Sequence, residues 1–98
     1  RQIGYPPFSR LVRFVYTSGS DERGRRAADD LAAEIRRLAE GLDLGDWSII
    51  GPAPAFFHRQ RNRFRWHLLL RAPDPSTLLE LLRLPPGWAL DVDPVHVL

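Results

Sequence analysis

Residues 63–71 read RFRWHLLLR. Successive side chains of an extended chain point to opposite sides, so Trp66, Leu68 and Leu70 share one side and Arg65, His67, Leu69 and Arg71 share the other. Residues 64–71 are therefore expected to be a strand with one packed face and one polar face. Residues 10–17, RLVRFVYT, repeat the pattern. They are rich in β-branched and aromatic residues, with Val12, Phe14 and Tyr16 on one side and Leu11, Arg13, Val15 and Thr17 on the other.

The rest of the chain is ordered around these two strands. Residues 1–9, RQIGYPPFS, form an extended lead-in, because Pro6 and Pro7 forbid regular pairing, and Tyr5 and Phe8 are expected to pin it to the core. Ser18, Gly19 and Ser20 make a turn. Over residues 22–41, Ala27, Ala28, Leu31, Ala32, Ile35, Leu38, Ala39 and Leu42 recur at helical spacing. Ser20 or Asp21 is the expected N-cap, and Gly41 the expected C-terminal cap. A second strand region begins at 46–50, DWSII, is broken by Gly51, Pro52 and Pro54, and resumes over 55–59 as an edge or sharply bent strand. Gln60 to Arg63 turn the chain, with Asn62 able to take a left-handed conformation. Asp74-Pro75 opens a second helix over 75–83, carried by Leu78, Leu79 and Leu82. Pro85, Pro86 and Gly87 end it. The last strand is 88–93, with Trp88, Leu90 and Val92 inward and Asp91 and Asp93 outward.

The order β-α-β-β-α-β is the split βαβ pattern of a ferredoxin-like α+β fold. It predicts a four-stranded antiparallel sheet with two helices on one face. Val12, Phe14, Tyr16, Trp66, Leu68, Leu70, Leu90 and Val92 meet the helices, and Arg13, Arg65, His67, Asp91 and Asp93 occupy the open face.

The chain has 98 residues, the size of a single domain, and it begins at Arg1 without a Met anywhere, as a piece of a longer protein would. With 44% hydrophobic and 27% charged residues it has the composition of a globular fold. It holds no cysteine, which excludes disulfides and zinc-thiolate sites. No apolar run approaches the roughly 20 residues of a membrane span, and no signal-peptide pattern occurs.

The formal net charge is +2, unevenly spread: +4 over residues 1–26, −4 over 27–55, +5 over 56–71 and −3 over 72–98. All fourteen basic residues are arginine, and no Asp or Glu occurs from Trp47 to Pro73. Arg59, Arg61, Arg63 and Arg65 recur at spacing two inside that acid-free stretch, interleaved with Phe57, Phe64 and Trp66. Spacing two predicts a row along one side of the hairpin. Like charges in a row repel unless an anion sits nearby, so the row reads as a receptor for phosphate or carboxylate. The competing reading is a solvated hairpin screened by salt. The acid-free context favours the receptor.

His67 reads either as a hydrogen-bonding partner for such an anion or as a polar residue on an open sheet face. No second His stands at metal-ligand spacing. Asp91 and Asp93 could act in acid–base or metal chemistry, but with no glycine-rich loop or third ligand beside them the expectation is that they neutralise Arg13 on the adjacent strand. Neither a phosphate-binding loop nor a nucleophile elbow is present, and the open face lacks the paired aromatics that stack RNA bases.

Four stretches in order carry a family resemblance: YPPFSRLV at 5–12, GPAPA at 51–55, RFRWHLLL at 63–70 and LDVDP at 90–94. Together they resemble the C-terminal domain of primosomal protein N-prime, the PriA replication-restart DNA helicase, over essentially the whole chain. The resemblance implies a fold like that of a small-subunit ribosomal protein. It implies a single domain, 1–98, at the C-terminus of a larger ATP-dependent 3'–5' helicase of the bacterial cytoplasm and nucleoid. ATP, magnesium and zinc would then belong to other parts of that parent, and this domain would hold no cofactor and catalyse nothing. The implied partners are branched or forked DNA, the acidic C-terminal tail of single-stranded-DNA-binding protein, and the parent's other domains.

The family string Gly-Arg-Tyr-Arg-Trp-Gln corresponds to Asn62, Arg63, Phe64, Arg65, Trp66 and His67 here. On that correspondence Arg63 and His67 would meet the tail's carboxylates and Phe64 its apolar tip, while Arg59, Arg61, Arg65 and Arg13 would hold DNA. His in place of Gln changes the donor and makes the contact pH-sensitive. Two other readings stand beside this one. The domain could be a structural brace on the helicase lobes with no ligand of its own. It could be a small enzyme such as an acyl-phosphate hydrolase, against which the missing anion-cradling glycine loop argues.

Overall fold

The computed structural model of the chain describes residues 9–60 and 63–92, with the backbone alone for 56–60. Its elements are β1 (Arg10–Ser18), α1 (Asp21–Gly41), β2 (Ser48–Gln60), β3 (Arg63–Ala72), α2 (Ser76–Leu81) and β4 (Trp88–Val92). The strands form a four-stranded sheet in the order β2-β3-β1-β4, every neighbouring pair antiparallel. Each helix thus links two parallel strands with an antiparallel one between them, which is the ferredoxin-like α+β arrangement. The expectations placed on Tyr5, Phe8, Arg61, Asn62 and Asp93 lie outside the described residues.

β1 and β3 fill the centre of the sheet, with Val12 opposite Leu70, Phe14 opposite Leu68 and Tyr16 opposite Trp66. Val12, Phe14, Leu68 and Leu70 are fully buried, as the alternation predicts, and pack with Ile35, Leu31, Ala32 and Ala39 of α1. Removing a side chain as large as Phe14 from water stabilises the fold by about 1.5–3 kcal/mol.

The start of α1 is fixed twice. Ser20 is its N-cap and accepts the Arg23 backbone N–H at 3.2 Å. The Trp66 indole Nε1–H, from the middle of β3, donates to Asp21 Oδ1 at 2.8 Å. The indole lies so close to the helix that a Cβ at Gly24 would stand 2.8 Å from Trp66 Cδ1. Glycine at 24 therefore lets α1 approach β3. The end of α1 differs from expectation. Gly41 is its last helical residue, and Leu42 is the C-cap, with extended backbone (φ −115°) and its N–H bonded to Ala39 O. A chain that leaves a helix straight into extended backbone needs no left-handed residue there, and Leu42 packs against the core instead.

β2 is longer and more continuous than its prolines suggest. It runs through Gly51, Pro52 and Pro54 to Gln60, and accommodates them by register shifts between Ile50 and Ala53 and between Pro54 and Arg59. Gly51 sits at φ +101° at the first shift, a conformation that costs glycine little. An edge strand tolerates such breaks because one side of its ladder is unused.

α2 is shorter than the expected 75–83. Asp74 Oδ1 accepts both the Ser76 backbone N–H (3.2 Å) and the Ser76 hydroxyl (2.7 Å), and these bonds hold its carboxyl below the usual aspartate range. The helix stops at Leu81, and among its residues Leu78 is buried. So short a helix leaves β4 partly uncovered. Leu90 and Val92 stand opposite Phe14 and Val12 on the helix side, as expected, yet each is 43% exposed rather than packed inward.

Candidate anion-binding face

Among the described residues, no helix lies on the other side of the sheet. There β3 presents Arg63, Arg65, His67, Leu69 and Arg71, and β1 presents Leu11, Arg13, Val15 and Thr17. The register sets Val15 opposite His67, Thr17 opposite Arg65, and Leu69 opposite Arg13. His67 is thus flanked by Arg65 along its own strand and by Arg13 diagonally on β1. Its imidazole pKa is pushed below the ordinary histidine value, first by burial and then by the charges of Arg13 and Arg65. Its Nδ1 is shielded from solvent and, among the described residues, has no hydrogen-bond partner. The guanidinium groups of Arg13 and Arg65 flank this ring on the open face, an arrangement whose positive charge attracts an anion.

The molecule's arginines differ sharply in surroundings. On α1, Arg26 pairs with Glu22 at 3.0 Å, Arg25 with Asp29 at 3.9 Å, and Arg37 with Glu34. On the open face, Arg71 is tied into the fold: it donates to Ser48 Oγ (3.2 Å) and Ser9 Oγ (3.1 Å) and stands 3.8 Å from Asp46. This tie joins β3 to β2 and to the residue leading into β1, and nothing in the spacing of Ser9, Ser48 and Arg71 announced it. Among the described residues, neither Arg13 nor Arg63 makes an ion pair. Asp91 stands opposite Arg13 in the register, but the expected neutralising pair between their side chains is not formed.

The side chain of Arg59 and the whole of Arg61 lie outside the described residues, so the expected row is described at Arg63 and Arg65. One expectation beside the row differs from the structure. Phe64 stands opposite Ser18 on the helix side, so the structure does not bring it together with Arg63 and His67. The apolar groups that share the basic face include Leu11, Leu69, Val15 and Ile50, which stands opposite Leu69 and is 54% exposed. Sequence reading overlooked Ile50, because its strand looked broken there. Among the described residues no three His, Asp or Glu side chains come together to hold a metal ion, and no helix is long and apolar enough to cross a membrane.

Fold and face together define a small ferredoxin-like module whose uncovered sheet presents guanidinium groups. The chain belongs to the family of the primosomal protein N C-terminal domain, which matches residues 1–95. It is 35% identical over 103 residues to the replication restart protein PriA of Treponema pallidum, covering 96% of this chain and 15% of that protein. It is 32% identical over 96 residues to the replication restart protein PriA of Synechocystis sp., covering 93% of this chain and 11% of that one. It is 32% identical over 81 residues to a probable replication restart protein PriA of Deinococcus radiodurans, covering 83% and 8%. The chain thus spans at most 15% of the length of these relatives. The family resemblance carried by the four sequence stretches is borne out.

Proposed function

We propose that this domain is the DNA- and partner-binding module of a replication-restart helicase, and that it grips anions on its open sheet face. On this reading Arg13, Arg63 and Arg65 hold phosphates of branched or forked DNA. Arg63 and His67 also receive the carboxylates of the acidic tail of single-stranded-DNA-binding protein, with Leu69 and Ile50 as the apolar ground beside them. ATP, magnesium and zinc belong to the rest of the parent protein, in the bacterial cytoplasm. The carrying observation is His67 set between Arg13 and Arg65 on a sheet side that no helix among the described residues covers.

The test is fluorescence anisotropy of the domain with labelled forked DNA across a salt series. The expected log–log slope is about −2 or steeper, and Arg13→Ala should weaken binding and reduce that slope by about one. A salt-independent signal, or none at low salt, rejects the DNA contact. For the tail, a folded Arg63→Glu domain that binds an acidic peptide as well as the parent does would reject the carboxylate assignment.

A second reading, the brace on the rest of a longer chain, is favoured by the exposure of Leu81, Leu90 and Val92 on the helix side. Failure to bind DNA at low salt, with the fold intact, would leave that reading standing.

A further inference from the structure

The helix side holds a second concave surface, at the opposite face of the sheet from His67. It is a groove of about 280 Å³ between α1, β1 and the start of β4. Its floor is apolar: Leu31 of α1 and the rings of Tyr16 and Trp88, whose centroids lie 5.1 Å apart at a tilt of 49°. Asp30 and Glu34, one turn apart on α1, form one lip, and Arg83, from the link between α2 and β4, forms part of the lining. Among the described residues, neither Asp30 nor Arg83 makes an ion pair. Glu34 is held by Arg37 on the exposed surface of the helix, a pair of the kind that exchanges partners readily. Along β4, Leu90 and Val92 extend apolar surface on the same side of the sheet.

Unlike the open face, this groove carries charge of both signs, with carboxylates on the α1 side and Arg83 in the lining. A carboxylate lip over aromatic rings suits a cation whose apolar stem lies across the rings. The Arg83 guanidinium has donors for main-chain carbonyls of whatever carries that cation. The exposed Leu90 and Val92 suit apolar neighbours of the same segment.

From this complementarity we infer that the groove is a docking site for an extended segment of a partner protein that presents one arginine or lysine between apolar residues. The basic group lies between Asp30 and Glu34, its stem rests on Tyr16 and Trp88, and the flanking apolar side chains cover Leu90 and Val92. The proposal does not depend on anion binding at the open face.

The test is a titration of the ¹⁵N-labelled chain with the peptide acetyl-Val-Arg-Leu-amide, followed by NMR at the Trp88 indole N–H. The matched control carries citrulline, the neutral isostere of arginine. The expected result is a saturable shift at Trp88 that is weakened about fivefold or more with the citrulline peptide and, for the arginine peptide, in the Asp30→Asn variant. Asp30 is exposed, so this substitution leaves the fold intact, and unchanged backbone shifts in the core verify it. Three results would overturn the proposal: equal binding of the citrulline peptide, shifts that fall on the Arg13–His67 face instead of at Trp88, and sedimentation that shows the groove closed by a second copy of this chain.

Discussion

On its covered side the sheet presents Val12, Phe14, Leu68 and Leu70, with no surface left to water; in the intervening positions of the same two strands it presents Arg13, Arg65 and His67. Neighbours along one strand are therefore under opposite demands. The covered side is held by shape, where each group is matched by another that fills the space beside it. The open side holds charge, and among the described residues Arg13 and Arg63 make no ion pair there. Three of the five arginines of α1 show one outcome: a helix sets a carboxylate three or four residues away beside each of Arg25, Arg26 and Arg37, so their charge is met locally, whereas among the described residues Arg23 and Arg36 make no ion pair. Across the sheet Asp91 stands opposite Arg13, yet among the described residues neither Arg13 nor Arg63 makes an ion pair.

The largest effect should come from breaking the covered side. Phe14→Ala should cost about 3–5 kcal/mol, much of the stability of a domain this small, and chemical denaturation should show it as a lower midpoint at unchanged slope. Next in size is Gly24→Ala. Its Cβ would press on the Trp66 indole, so the Asp21 contact should loosen and the tryptophan emission should shift along with a lower melting temperature. An emission spectrum identical to the parent's would mean that the helix approaches β3 for some other reason.

His67 sharpens the comparison by its sign. Its folded pKa lies below the ordinary value of 6.5, so as pH falls through that value the unfolded chain takes up a proton that the folded chain resists. Stability from this group is therefore present above the unfolded pKa and declines as the pH drops below it. An anion between Arg13 and Arg65 should raise the pKa again. DNA binding should then take up a proton and tighten as the pH falls toward the folded chain's lowered His67 pKa. His67→Gln should remove both trends, measured as melting temperature and anisotropy against pH. The smallest effect belongs to α1: Arg26→Ala should leave melting temperature and DNA affinity where they were, in contrast to Arg13→Ala. Equal losses from the two would erase the distinction between matched and unmatched arginines.

Most of the fold was legible because its signals are local. The alternation in 10–17 and 63–71 named both central strands and the residues of each face, and the spacing of Ala28, Leu31, Ile35 and Ala39 named the buried side of α1. What failed depended on what stands across from what. Ile50 joins the basic face through its pairing with Leu69, which no spacing rule contains. Phe64 looked like a neighbour of Arg63 in function because it is its neighbour in the chain, whereas a strand sends adjacent residues to opposite faces. The exposure of Leu90 and Val92 follows from the early end of α2, a tertiary outcome that the leucines at 78, 79 and 82 do not reveal. The candidate face was half legible: its basic residues were visible, but the Arg71 tie and the missing Arg13–Asp91 pair were not.

The two register shifts in β2 have a consequence for how this domain varies in length. β3 is paired on both edges, and its residues alternate between the Trp66 contact with α1 and the basic face, so deleting one residue there would turn arginines into the core and leucines into water. β2 lies at the edge and already slips past its partner between Ile50 and Arg59. Insertions and deletions among related domains should therefore collect at 51–58 and spare 63–72.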